Sequence, residues 1–161
     1  MAVDAQARRR ALRLVTNGMF VMTARDGDHY GVATLTWLSQ ASFKPPLLMV
    51  GVRPASNVFQ CLTRSGFAAV HVLGADQQEV ALKFFSPTQV TDGQINGEPF
   101  TDGVTGAPLF PRLRAWVECR VVRIVDAGGD HAVVIMEVVE AKCPGSFEPL
   151  TVAASPWVYG G

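Results

Sequence analysis

Between Gly31 and Val52 the chain reads GVATLTWLSQASFKPPLLMVGV, two apolar stretches interrupted by small and hydroxyl-bearing residues. Such an interruption needs a polar partner, because buried polar groups must find hydrogen bonds. Thr34, Thr36, Ser39, Gln40 and Ser42 offer hydroxyls, an amide and closely spaced backbone N–H groups. Pro45-Pro46 then fixes φ and removes any helical escape. A segment of this kind can wrap a flat polar ligand with main-chain hydrogen bonds. It is also compatible with a plain Ser/Thr-rich turn between two strands.

The pattern on either side is that of strands. Met19–Ala24 and His29–Thr34 flank the turn pair Asp26-Gly27, which predicts a hairpin. Leu47–Val52 and Phe67–Leu73 read as buried strands, and Trp116–Val125 alternates, with Val117, Cys119 and Val121 on one face and Glu118 and Arg120 on the other. Ala127-Gly128-Gly129-Asp130 turns the chain into a long strand from His131 to about Lys142. Helices are predicted from Asp4 to about Asn17, with Ala11, Leu12 and Val15 on one stripe; from Ser56 to about Arg64, stopped by Gly66; and from a capping box of Asp76 and Glu79 to near Phe85. From Ser86 to Arg114 periodicity fails and Gly and Pro recur, as in a functional loop, lid or subunit contact. Many strands, few helices and no strand–helix repetition predict a mainly β, antiparallel barrel with peripheral helices, formed as a single domain over residues 1–161.

With 48% apolar and 17% charged residues and a net charge of zero, the surface has little charge with which to steer nucleic acid or an anionic membrane. That low charge hints at a face covered by another subunit. Arg8-Arg9-Arg10 is the one basic cluster and falls in a helical pattern. No apolar run reaches membrane-spanning length and no secretory signal pattern opens the chain, so a cytoplasmic protein is expected. The cysteines and histidines are scattered, without metal-ligand spacing, and no metal site is expected. No Gly-x-Gly-x-x-Gly follows a strand, so a dinucleotide has no Rossmann domain to bind.

Taken in order, Ser39-Gln40-Ala41-Ser42-Phe43-Lys44-Pro45-Pro46, Gly66-Phe67, Gly106-Ala107-Pro108-Leu109, Glu118-Cys119-Arg120, Gly129-Asp130-His131 and Trp157-Val158-Tyr159-Gly160-Gly161 resemble the flavin reductase family over nearly the whole chain. The wording is most similar to the flavin reductase modules of diflavin proteins. The resemblance implies an FMN-binding split β-barrel of Greek-key-like antiparallel strands, acting as a homodimer. It further implies hydride transfer from NAD(P)H, a transient co-substrate, to FMN, with FAD as another flavin to consider. A partner monooxygenase or redox protein would take the electrons. Thr34, Leu35, Thr36, Trp37, Ser39, Gln40, Ala41 and Ser42 would line the ring and ribityl chain, and His131 would stand beside the reacting centre.

Arg53, Ser56 and Asn57 at a helix N-terminus would hold the phosphate, although a plain cap with a surface arginine fits the residues as well. From the residues alone, a turn histidine bonded to Asp130 is the better reading of His131. Two positions depart from the family pattern: Met136 stands where many members have glycine, and Asn57 where many have threonine. Trp37, Phe85, Phe100 and Phe110 are candidate stacking surfaces, whereas Trp157 and Tyr159 read as a docked C-terminal hook. Three other readings remain open at this point: an electron-transfer flavoprotein, a flavin carrier or sensor without turnover, and a cofactor-free interaction domain.

Overall fold

Short turns and alternating apolar residues generate one dominant sheet. The computed structural model describes residues 1–161. Its elements are α1 (Ala5–Arg13), β1 (Phe20–Asp26), β2 (His29–Leu35), β3 (Leu38–Ser42), β4 (Leu47–Val52), α2 (Asn57–Ser65), β5 (Phe67–Val72) and α3 (Gln78–Lys83). Five two-residue strands follow, β6 (Val90–Thr91), β7 (Gln94–Ile95), β8 (Glu98–Pro99), β9 (Thr101–Asp102) and β10 (Pro108–Leu109). The long strands β11 (Ala115–Val125) and β12 (Ala132–Lys142) complete the fold. The main sheet has seven strands in the order β2-β1-β5-β11-β12-β4-β3, and every neighbouring pair in it is antiparallel.

That order forces curvature. β2 and β3 are the two edges, yet only Thr36 and Trp37 separate them in the chain. The three peptide steps from Leu35 to Leu38 cover at most about 11 Å, whereas the edges of a flat seven-stranded sheet would lie roughly 29 Å apart. The sheet therefore curls until its edges approach at Thr36-Trp37, where the Gly51 N–H donates to the Trp37 carbonyl at 2.8 Å. The edge strands do not pair, so the ladder stays open along this seam.

Opposite faces of β1 feed two cores. Met22 and Ala24 join Val50, Leu62, Val70, Val134 and Met136 under α2. Val21 joins Val32, Leu73, Val80, Phe84, Phe110 and Leu150 under α3. α2 rests on the hairpin because Gly31 on β2 has no side chain; a Cβ there would meet the Val58 backbone at 2.4 Å.

Several sequence expectations change in detail. The hairpin loop is Gly27-Asp28, one residue later than the expected pair, with Gly27 at φ +58°. α1 stops at Arg13 rather than near Asn17 and buries no residue. α3 has no side-chain cap; Asp76 pairs with Arg114 instead. The segment read as a Ser/Thr-rich turn is the edge strand β3, made regular by its pairing with β4. Val117, Cys119 and Val121 share one core-facing side of β11 as expected, but Glu118 on the opposite face is buried as well, because the Val104-Thr105 backbone covers it. The Glu118 carboxylate accepts from the Thr105 N–H and hydroxyl at 2.8 and 2.6 Å and from the Val104 N–H at 3.2 Å. The 86–114 region is a set of small hairpins turned by Asp92-Gly93 and Asn96-Gly97, all four with positive φ.

Candidate functional site

At the seam lies a cavity of about 210 Å³. The end of β2 contributes Thr34, Leu35, Thr36 and Trp37; the β4–α2 link contributes Arg53 and Ser56; the start of β12 contributes His131; Phe85, Trp157 and Tyr159 close the rim. Its floor is tied down, since the Thr34 hydroxyl donates to the Ala81 carbonyl at 2.7 Å. The Thr36 Oγ1 is different: it is buried and has no hydrogen-bond partner in the protein. An orphaned buried hydroxyl carries a desolvation cost of about 1–3 kcal/mol that a bound polar group would relieve.

One end of the cavity is positive. The Ser56 Oγ caps α2, accepting from the Phe59 N–H at 3.3 Å and donating to the Arg53 carbonyl at 2.7 Å. The remaining first-turn N–H groups of α2 have no intrahelical partner, and the exposed Arg53 guanidinium stands at the same helix end. Together they form an anion-binding arrangement.

The other end is an aromatic and imidazole cluster. The His131 ring lies 4.6 Å from the Trp37 ring, centroid to centroid, and Tyr159 lies 5.0 Å from Trp37. His131 Nδ1 is 2.7 Å from Asp130 Oδ1, and Nε2 is 2.9 Å from the Tyr159 hydroxyl. The hydrogen bond from His131 holds the Asp130 carboxyl below its usual range.

The structure thus brings together Thr34, Leu35, Thr36, Trp37, Arg53, Ser56 and His131. It places the other candidates elsewhere. Ser39 borders a neighbouring cavity of about 420 Å³ across the wall made by Trp37, Gly51 and His131. Gln40 and Ser42 face a third cavity with Leu48 and Val117, Ala41 is exposed, and Asn57 faces a polar cleft with Asp28 and Arg64. The reason is the strand β3, which carries its side chains away from the seam. Met136 is packed in the core with no exposure. Of the stacking candidates, Trp37 and Phe85 reach the cavity, whereas Phe110 stacks on Phe84 in the core and Phe100 meets the edge of Tyr30. Trp157 and Tyr159, read from sequence as a hook, are part of the cavity wall; their only sequence signal was an aromatic pair ahead of Gly160-Gly161.

Residues 12–156 match the family described as flavin reductase like domain. The chain is 30% identical over 133 residues to a Rhizobium meliloti (strain 1021) protein named "Probable flavin reductase", covering 82% of this chain and 42% of that protein. It is also 30% identical over 150 residues to the NADH:riboflavin 5'-phosphate oxidoreductase of Streptomyces pristinaespiralis, covering 92% of this chain and 83% of that one. The styrene monooxygenase flavin reductase of Pseudomonas putida S12 superposes with a TM-score of 0.75 at 26% identity, covering 96% of each chain. The chain spans 42% and 60% of the length of two Rhizobium meliloti relatives. The match over residues 12–156 places this chain, with its curled antiparallel sheet, in the flavin reductase like domain family.

Proposed function

We propose that this chain is a flavin reductase that transfers hydride from NAD(P)H to FMN, and that its curled sheet is an FMN-binding split barrel acting as one domain. The observation that carries the reading is the seam cavity itself: apolar walls, one orphaned hydroxyl at Thr36, and a cationic helix end at Arg53 and Ser56. A flavin mononucleotide has the matching features, a flat ring with a polar edge and a dianionic tail. The two relatives and the solved reductase named above support the same chemistry.

When bound, the flavin supplies the hydride-accepting chemistry, so no protein nucleophile is required. The protein binds and aligns. Thr36 Oγ1 meets the polar edge of the ring, while Thr34, Leu35 and Trp37 hold the ring and ribityl chain. Arg53, the α2 N-terminus and Ser56 hold the phosphate, with Asn57 contributing its backbone N–H from the first helical turn. Phe85 and Trp37 exclude water from the ring. His131 orients the incoming carboxamide. Ser39, Gln40, Ala41 and Ser42 serve as the strand that fixes Trp37 rather than as side-chain ligands.

A partner oxygenase or redox protein of the cytoplasm would take the electrons. No helix of the chain is long and apolar enough to cross a membrane. The apolar recess lined by Phe20, Leu48, Val70, Val117 and Val138 suits a second copy of the chain, giving a homodimer. Light scattering checks that state, with a dimeric mass expected.

Stopped-flow oxidation of NADH and NADPH with added FMN, FAD and riboflavin tests the activity. Flavin-dependent nucleotide oxidation is expected, fastest with FMN. Stoichiometric flavin binding without oxidation of either nucleotide would leave a carrier or an electron-transfer protein in its place.

A further inference from the structure

We propose that Tyr159 is a positioning residue for His131, holding the imidazole from Nε2 while Asp130 holds it from Nδ1. The consequence for catalysis rests on the flavin reductase reading; the positioning itself is a property of the chain.

The C-terminal strap that carries Tyr159 is not fixed by its backbone. The nearest ladder contacts end at Val152 and Ser155. Beyond them the strap is tied by the Trp157 N–H to Ser155 Oγ at 3.2 Å and by Arg13 Nε to the Gly160 carbonyl at 3.3 Å. Voids flank it: Trp157 and Tyr159 line the seam cavity, Gly160 and Gly161 line the neighbouring one, and Val158 borders a further space of about 520 Å³. Trp157 anchors the strap on the second core and against Phe85, and the phenol itself is placed by its contacts with His131 and Trp37.

Hydrogen-bond bookkeeping defines the imidazole. A carboxylate only accepts, so Nδ1 donates to Asp130. The neutral ring then has Nε2 as acceptor, and the Tyr159 hydroxyl donates to it at 2.9 Å. Turning the ring over would replace both nitrogens with carbons and lose both bonds. The Asp130 side chain is 87% exposed, so on its own it is a weak anchor. Asp130, which only accepts, selects the Nδ1–H tautomer; the phenol reinforces that choice by donating to Nε2 and fixes the ring's orientation against the face of Trp37.

The test begins with flavin-free protein carrying 15N-labelled histidine, observed above neutral pH, with the His131 signals identified by their loss in His131→Gln. The wild type should show one tautomer with the proton on Nδ1. Tyr159→Phe, which keeps the ring and removes the hydroxyl, should shift His131 toward a tautomer mixture and leave the His29 and His71 signals in place. In the same variant, FMN affinity should stay within about twofold and the rate of flavin reduction by NADH should fall about tenfold, the scale of a misplaced polar group in a transition state. An unchanged His131 spectrum in Tyr159→Phe overturns the proposal. So does a changed spectrum with an unchanged reduction rate. Failure of the wild type to bind flavin would instead defeat the functional reading, while the spectra still decide whether Tyr159 positions His131.

Discussion

Thr36 and His71 are both buried polar side chains, but their environments differ in the way that separates function from structure. Thr36 Oγ1 has no partner. His71 is fully satisfied, its Nδ1 donating to the Val21 carbonyl at 3.2 Å and its Nε2 accepting from the Phe110 N–H at 3.0 Å. Thr36→Val should therefore leave flavin-free stability unchanged or raise it by about 1 kcal/mol, while weakening FMN binding by a similar amount. Thermal melts with and without FMN separate the two effects. For His71, burial pushes the imidazole down from 6.5 to about 4. The native ring stays neutral while the unfolded chain takes up a proton below pH 6.5, so this stability is complete above that pH and is lost as pH falls toward 4. The loss reaches about 3 kcal/mol. Urea unfolding across that window should show the slope, and His71→Gln should flatten it. The sequence offered Thr36 only as one of several hydroxyls in a candidate run and His71 as one of three scattered histidines; partners on distant strands decide which hydroxyl is orphaned.

α2 was legible almost residue for residue, because its signals are local. Ser56 caps it and Gly66 ends it in the left-handed region at φ +78°, as the sequence implies. The signals at α3 failed because Arg114, far along the chain, takes the carboxylate that would have capped it. β3 was hidden for a related reason: its polar residues look like a turn until β4 pairs with them. The placement of α2 gives a prediction at this scale. Gly31→Ala must push the Val58 backbone away from a contact of 2.4 Å. The expected cost is about 1–3 kcal/mol of stability. FMN binding should weaken too, because the helix that moves is the one whose N-terminus is proposed to hold the phosphate. Urea midpoints and fluorescence titration of FMN check both halves; lost stability with undiminished affinity would detach α2 from the site.

Over the whole molecule, a two-residue link between opposite sheet edges produces the site. The strands themselves were readable from alternation and turn pairs, but their order was not, and it is the order that brings Thr36-Trp37 against Gly51 and His131. The same curl moves Ser39 to a neighbouring cavity, and Trp157 and Tyr159 join the wall. Under the proposed reading, a site assembled this way would recognise its ligand by position along the seam, with the ring in the apolar part and the anion at the α2 end. The most direct measurement is isothermal titration of the protein with FMN and with riboflavin, which differ in the phosphate alone. Arg53 and the α2 N-terminus predict that FMN binds at least about tenfold more tightly, a gap that Arg53→Ala should narrow, since a charge-assisted contact contributes about 1.5–3 kcal/mol. Equal affinities for the two flavins, or a gap untouched by Arg53→Ala, would contradict the placement of the phosphate and with it the proposed seam site.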